Sequence, residues 1–275
     1  MIKTAKVAAL VACYAGLAFA QIQPVVSGDL GDGKVDWGSR TIVATGIGAP
    51  NPELPPATQR PSATRAAQMV ALRNALETVK GISLNSTTTI ENLMVSSDRI
   101  TSSVDGFLRG FQQKGHTRYM SDGTVEITME IPIDQIGLEV MMDDIQETAR
   151  KNSFEGAQAS SPVIFTGLII DARELGVKPA LSPKVLDEDG REVYGSAYVT
   201  REWASQHGVV GYTKDVADAA QLDRVGDTPG MIKALRASGP NRADVVISAK
   251  DAADVRSASE NLKFLSQCRV VFVID

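Results

Sequence analysis

Between Pro162 and Asp171 the chain reads Val-Ile-Phe-Thr-Gly-Leu-Ile-Ile, without a charge and without alternation of apolar and polar positions. A strand with one wet face alternates, so a run that does not must be covered on both faces, and this segment is expected as an interior strand. The C-terminal end agrees. A strand over 244–247, a helix over 251–265 capped by Ser248 and a last strand over 269–274 follow in order. Strand, helix and strand with apolar strands at both ends define a mixed α/β domain, and a chain that ends on a strand has its terminus held. Between these parts, 183–194 reads as two short strands around the turn Glu188-Asp189-Gly190, and 198–230 as mixed loop and helix.

The first half is patterned differently. A strand over 41–46 leads into a proline-rich loop, 50–61, that can continue neither helix nor ladder. A helix capped by Ser62 or Thr64 and closed by Gly81 follows, with Met69, Leu72, Leu76 and Val79 at helical spacing. Its many alanines imply close approach to a sheet. Residues 82–90 alternate like a strand, and 96–104 suit a short helix or turn. Two long β runs, 106–120 and 124–131, meet at the hairpin signal Ser121-Asp122-Gly123. In the second run Val125, Ile127, Met129 and Ile131 alternate with Glu126, Thr128 and Glu130, which gives one buried and one wet face. An amphipathic helix carrying Ile136, Val140, Met141, Ile145 and Ala149 completes this unit, and the polar stretch 151–161 is the expected boundary before the second domain at 162–275.

The N-terminus constrains where folding happens. Lys3 and Lys6 precede an uncharged stretch ending in Ala18-Phe19-Ala20, the three-part pattern of a secretory signal peptide over 1–20. The apolar run is shorter than the roughly 20 residues a membrane span needs. A competing reading is Leu10-Val11-Ala12-Cys13 as a lipobox, with Cys13 acylated and the protein tethered to the outer membrane. Cleavage after Ala20 also accounts for the apolar residues beyond Cys13, so a periplasmic protein beginning near Gln21 is the favoured expectation. Residues 21–40 then form a lead expected to be flexible. Its segment 27–36 is rich in Gly and Asp but lacks the alternating ligands and terminal Glu of a calcium loop.

Composition excludes several classes. Only Cys13 and Cys268 occur, so a chain cleaved at Ala20 has no disulfide framework, and Cys268, opening an apolar strand, is expected to be a buried inert thiol. The net charge of −5, with no basic stripe interleaved with aromatics, argues against nucleic acid as a partner. The two histidines, His116 and His207, belong to no ligand-spaced group; the first reads as a solvated strand-edge residue and the second as the end of a helix. No nucleophile elbow or phosphate loop occurs, and no cofactor is implied. Asp187, Glu188 and Asp189 offer paired carboxylates, more simply read as a solvated hairpin turn. Two features remain as candidates. The loop 171–179 leaves the end of the buried strand with Asp171, Arg173, Glu174 and Lys178, where α/β sheets usually bind ligands or partners. Tyr194, Tyr198, Trp203 and Tyr212 form either core or an interface anchor.

From 41 to 133 the order of elements carries a resemblance. A strand ending Ala-Thr-Gly46 precedes Ala63-Thr-Arg-Ala-Ala-Gln-Met-Val-Ala-Leu-Arg-Asn-Ala75 with Gly81, then Ser97-Asp-Arg-Ile100, Gly106 and a hairpin whose second strand is 125–133. This resembles the envelope domain shared by small outer-membrane lipoproteins of the Lpp type and the N-terminal domain of flagellar assembly protein T. Residues 50–61 are an insertion relative to that pattern. The resemblance implies an α+β domain over 41–150, helices packed on a curved antiparallel sheet, followed by the second mixed α/β domain. It further implies a non-enzymatic structural or assembly role in the cell envelope, with envelope proteins and further copies of the chain as partners, outer-membrane association and a flagellar basal-body accessory role among its forms. A periplasmic ligand-binding module using the loop 171–179 is the alternative.

Overall fold

The structure, a computed structural model, describes residues 27–30, 33–133, 164–257 and 259–275. The signal peptide, Cys13, the helix expected over 136–149 and the boundary stretch 151–161 lie outside the described residues. What is described has the expected class, α+β followed by mixed α/β.

The first domain is one antiparallel sheet with helices against it. β1 (Ser27–Leu30) and β2 (Gly33–Asp36) form a ribbon that continues into β3 (Thr41–Gly48). Residues 27–30 and 33–36 of the lead expected to be flexible are therefore part of the sheet. After α1 (Pro56–Gly81), α2 (Ile90–Ser96) and α3 (Asp98–Leu108) come the two-residue strands β4 (Gln112–Gln113) and β5 (Arg118–Tyr119), then β6 (Val125–Pro132), which pairs with β3 along its whole length. β4 and β5 both lie on the far side of β6. The β run expected over 106–120 shrinks to these two short strands, because α3, capped by the Ser97 hydroxyl, continues through Gly106 and buries Ile100, Val104 and Phe107. The hairpin itself forms where expected, with Asp122 accepting from the backbone and hydroxyl of Thr124.

α1 shows how the sequence sets the packing. It begins at Pro56, a residue whose fixed φ suits the first helical position and whose missing N–H would have had no partner there. Pro61, expected to close the loop, lies inside the helix on an exposed flank, at the loss of one backbone hydrogen bond. The buried face is the i,i+4 stripe Ala63, Ala67, Ala71 and Ala75, with Thr78 and Val79; Met69, expected in the core, is 71% exposed. Opposite the stripe stand Gly46 and Gly48 of β3. A Cβ on Gly46 would collide with backbone of Ala67 and Ala71, and one on Gly48 with backbone of Ala63 and Ala67. Small residues on both sides let helix backbone rest on strand backbone, the close approach that the alanines implied.

The second domain holds two small sheets. β7 (Leu168–Asp171), β10 (Gly211–Thr213), β11 (Gly230–Lys233) and β14 (Val270–Val273) make an all-parallel sheet in the order β10-β14-β7-β11. β7 is covered on both sides as expected: Leu168 and Ile170 join the main core, whereas Ile169 packs with Val271, Val273, Ala219 and Val225 beneath α5 (Val216–Gln221). The other sheet runs β12 (Arg236–Ser238), β13 (Asp244–Val246), β8 (Val185–Leu186) and β9 (Glu192–Tyr194). The single helix expected over 251–265 is two, α6 (Ala249–Arg256) and α7 (Ser259–Ser266). Buried Asn261 marks the break: its amide donates to the Val255 carbonyl, a bond that a continuous helix would make itself, and its oxygen accepts from the Phe165 N–H ahead of β7.

The two domains are one body. Residues 82–90, expected as a strand, contain only the bridge Ser83 to Thr89 and project into the second domain. There Leu181 N–H donates to the Ser83 carbonyl at 3.0 Å, Ser182 N–H to Leu84 at 2.7 Å and Asn241 N–H to Ser86 at 2.8 Å. One hydrophobic cluster runs from Val35, Ile42 and Ile90 through to Tyr194, Tyr212 and Phe272. Gly46→Val should lift α1 from the sheet and destabilise the protein by about 3 kcal/mol or more, as overpacked cores do, whereas Met69→Ala should change stability by less than about 0.5 kcal/mol. Urea denaturation followed by circular dichroism measures both.

Candidate functional site

The loop after β7 is pinned from all sides. Asp171 and Arg173 form a two-bond ion pair at 2.6 and 2.8 Å, which holds the Asp171 carboxyl below its ordinary range. Glu174, at a positive φ of 66°, turns its N–H onto the Asp275 carboxylate at 2.9 Å. Arg242 donates to the carbonyls of Leu175 and Gly176, and its own carbonyl accepts from Lys178 N–H. Asp171, Arg173 and Glu174 thus gather at the C-terminal edge of the parallel sheet. Lys178 lies beyond them, past buried Val177. The charges of the loop are largely spent on its own shape, and the exposed flanks of Arg173, Glu174 and Lys178 remain as its outward chemistry.

A second concave feature lies between the domains. Trp37, Arg40 and Ile133 from the first face Ala180, Leu181, Gly208, Val210 and Tyr212 from the second around a small crevice that opens to solvent. Its floor is aromatic: Trp37 meets Tyr212 edge-on at 5.5 Å, and Tyr212 meets Phe272 at 6.0 Å. The Tyr212 hydroxyl donates to the Ala180 carbonyl and accepts from the Ala180 N–H, and burial raises its pKa far above the ordinary phenol.

Beside this crevice two guanidinium groups hold the end of α4 (Arg201–His207). Gly208, at φ 68°, turns the chain out of the helix and leaves carbonyls without helical partners. Arg224 donates to one of them, His207, through Nη1, and beyond the helix to Gly208 and Val209 through Nη2 and to Cys268 through Nε. Arg40, from the first domain, reaches the Gln206 carbonyl at 3.3 Å. A positive charge at a helix C-terminus complements the helix dipole, which gives both arginines an electrostatic as well as a hydrogen-bonding reason to be there. Gly208 is also the residue that lets Arg40 approach, because a Cβ there would lie 2.8 Å from Nη2.

The remaining candidates resolve as structure. Asp187, expected in a solvated turn, is 1% exposed and accepts from Arg191 and Arg256 as well as from backbone. Burial alone would raise its pKa, yet the Arg256 and Arg191 bonds bring it below the ordinary carboxylate value. Glu188 caps α6 through the Ala249 N–H, and Asp189 pairs with Arg191 at the surface. Tyr194 and Tyr212 are core, with Tyr198 and Trp203 packed against them. Cys268 is buried, and its thiol is pushed up to about 11 by desolvation. His116 is exposed, and His207 ends α4 against Trp203 at 4.9 Å. Among the described residues no group of three or more His, Cys, Asp or Glu side chains could hold a metal ion. Arg40, Arg224 and Trp37 escaped the sequence reading because each is a lone residue whose partners are distant in the chain.

Arg224→Leu should leave several buried carbonyls without donors, at a cost of about 1–3 kcal/mol each, for a total loss above about 3 kcal/mol. Arg173→Ala, at the surface, should cost less than about 1 kcal/mol. Asp187 gives a pH signature. Its folded pKa lies below 3.8, so its stabilisation is complete above that pH and fades as pH falls through the folded value. Asp187→Asn should therefore flatten the acid limb of a stability profile recorded by urea denaturation.

Residues 167–275 match the family model described as the second domain of Treponema pallidum Tp0624, so the similarity covers almost all of the second domain from the approach to β7 onward. The chain matches no curated protein.

Proposed function

We propose that the protein is a non-enzymatic structural or assembly component of the bacterial cell envelope, exported to the periplasm and working alongside envelope proteins and further copies of itself. The observation that carries this reading is how the charged groups are used. Arg224, Arg242, Arg256 and Asp187 all serve as internal cross-links, and the two domains share a core and backbone hydrogen bonds. A binding protein that closes around its ligand needs a cleft with a hinge between domains, and this interface is instead filled by a continuous core. The resemblance of 41–133 to the envelope domain of Lpp-type lipoproteins and of flagellar assembly protein T adds the envelope address. A basal-body accessory, and an outer-membrane form acylated at Cys13, are specific versions of the same proposal.

Sizing of the mature chain, cross-linking in envelope fractions and the motility of a deletion strain test it together. We expect assemblies larger than a monomer and a recurring envelope partner, with impaired swimming if the role is flagellar. A strict monomer without any cross-linked partner would sink the proposal. The second reading, a ligand-binding module, is favoured by one observation: Arg173, Glu174 and Lys178 stand exposed at the C-terminal ends of parallel strands. Under it, an envelope metabolite should raise the melting temperature of the native chain and fail to do so for Arg173→Ala combined with Lys178→Ala.

A further inference from the structure

The carboxyl group of Asp244 is 5% exposed and sits where residues 83–86 of the first domain enter the second. One of its oxygens accepts from the Ser86 hydroxyl across the interface at 2.5 Å, and the other from the Lys184 backbone N–H at 2.8 Å. Both are neutral donors. Three backbone bonds, from Leu181, Ser182 and Asn241 to residues 83, 84 and 86, surround the same point, and the Asn241 amide adds a fourth to the Asn85 carbonyl at 3.2 Å. We propose that Asp244 is a proton-sensitive latch between the two domains, one that holds them together more firmly when its carboxyl is protonated than when it is ionised.

The neighbours of Asp244 on every side bear on this. The docking segment offers Asn85, Ser86 and Thr87, and β12 offers Ser238 opposite Asp244; none of them titrates. From the approach to β8 comes Lys184, whose ammonium group is bound to Glu192 at 2.9 Å and still favours the ionised carboxylate. Arg242, two residues away, directs its guanidinium to the carbonyls of Leu175 and Gly176. The Tyr212 phenol, which stays neutral, is held by Ala180. Against Lys184 and the two hydrogen bonds stands burial, which is the larger effect and raises the Asp244 pKa above its ordinary value.

The sign follows from linkage. Separating the domains would return Asp244 to water and to an ordinary pKa, so the closed form binds the proton more tightly than the open one. Closure is weakest with the group ionised, strengthens as pH falls through the raised pKa, and gains nothing further below 3.8, where both forms are protonated. Each unit of pKa elevation multiplies the ratio of closed to open by about ten. Asp171 and Asp187, whose pKa values are lowered, act in the opposite direction on overall stability, and a whole-protein melt would blur the two. The inference does not depend on the envelope reading.

Hydrogen exchange of the full chain, converted to protection factors, reads the latch where it acts. The amides of Leu181, Ser182 and Asn241 should gain protection in the native chain as pH falls from neutral through the Asp244 titration toward 3.8. Asp244→Asn should abolish that gain. Ser86→Ala, which takes a hydrogen bond from the ionised form, should move the Asp244 titration upward and steepen the gain. Carbon-13 NMR of the Asp244 carboxyl follows the same titration in the native chain and in Ser86→Ala, so the result stands even if Asp244→Asn does not fold. Protection that is flat with pH in the native chain, an equal gain in Asp244→Asn, or a carboxyl that titrates at or below 3.8 would each overturn the proposal.

Discussion

The meeting of Ser86 with Asp244 governs the rest of the molecule. A short segment of the first domain lies between residues 180–182 and 239–244 of the second, and its carbonyls accept the hydrogen bonds that those residues would otherwise have to find in water. Gly239 makes room for it, since a Cβ there would strike the Ser86 side chain. With the segment in place, Trp37 comes to rest on Tyr212, Arg40 reaches the end of α4, and the hydrophobic clusters of the two domains become continuous. Removal of this contact would expose backbone acceptors and apolar side chains at once. The two domains therefore stabilise each other, although each has its own sheets.

A second theme is the work given to arginine. Buried carbonyls at the end of a helix and in irregular loops need donors, and a guanidinium supplies several in one plane. Arg224 does this for α4 and Cys268, and Arg242 for the loop after β7; Arg256 joins Asp187 to the Glu192 carbonyl. Long side chains thus substitute for regular secondary structure in a domain whose strands are mostly three or four residues long. The same economy explains why the charged loop at 171–179 offers less free chemistry than its composition promised.

Several elements were legible in the sequence for definite reasons. The apolar run ending in Ile170 holds an interior strand, although only from Leu168, with Ile164 exposed ahead of it; the alternation over 125–131 gives a half-covered strand, and Asp122-Gly123 turns. The alanines of α1 announced close packing, and of the four larger side chains at helical spacing Val79 is buried, Leu72 and Leu76 pack against the core, and Met69 alone faces water. Met69 is kept off the buried stripe because Gly46 and Gly48 accept a helix backbone there and leave no space for larger residues. Residues 82–90 alternated like a strand because both strands and extended docking segments expose alternate sides; only the neighbours distinguish them.

Local sequence thus determined the α+β and α/β halves, the covered strand, the hairpin turn and the Ser248 cap, because each depends on residues close together in the chain, whereas α1 starts at Pro56, ahead of the expected caps Ser62 and Thr64. Tertiary structure alone decided that the halves are one body, that Asp187 is buried rather than solvated, that Arg224 and Arg40 clasp the end of α4, and that Asp244 is held out of water by Ser86, 158 positions away. The physical reason is the same in each case. Burial of a charge, and the donor that makes it tolerable, are properties of a surface assembled from distant segments, and no spacing within a single segment encodes them.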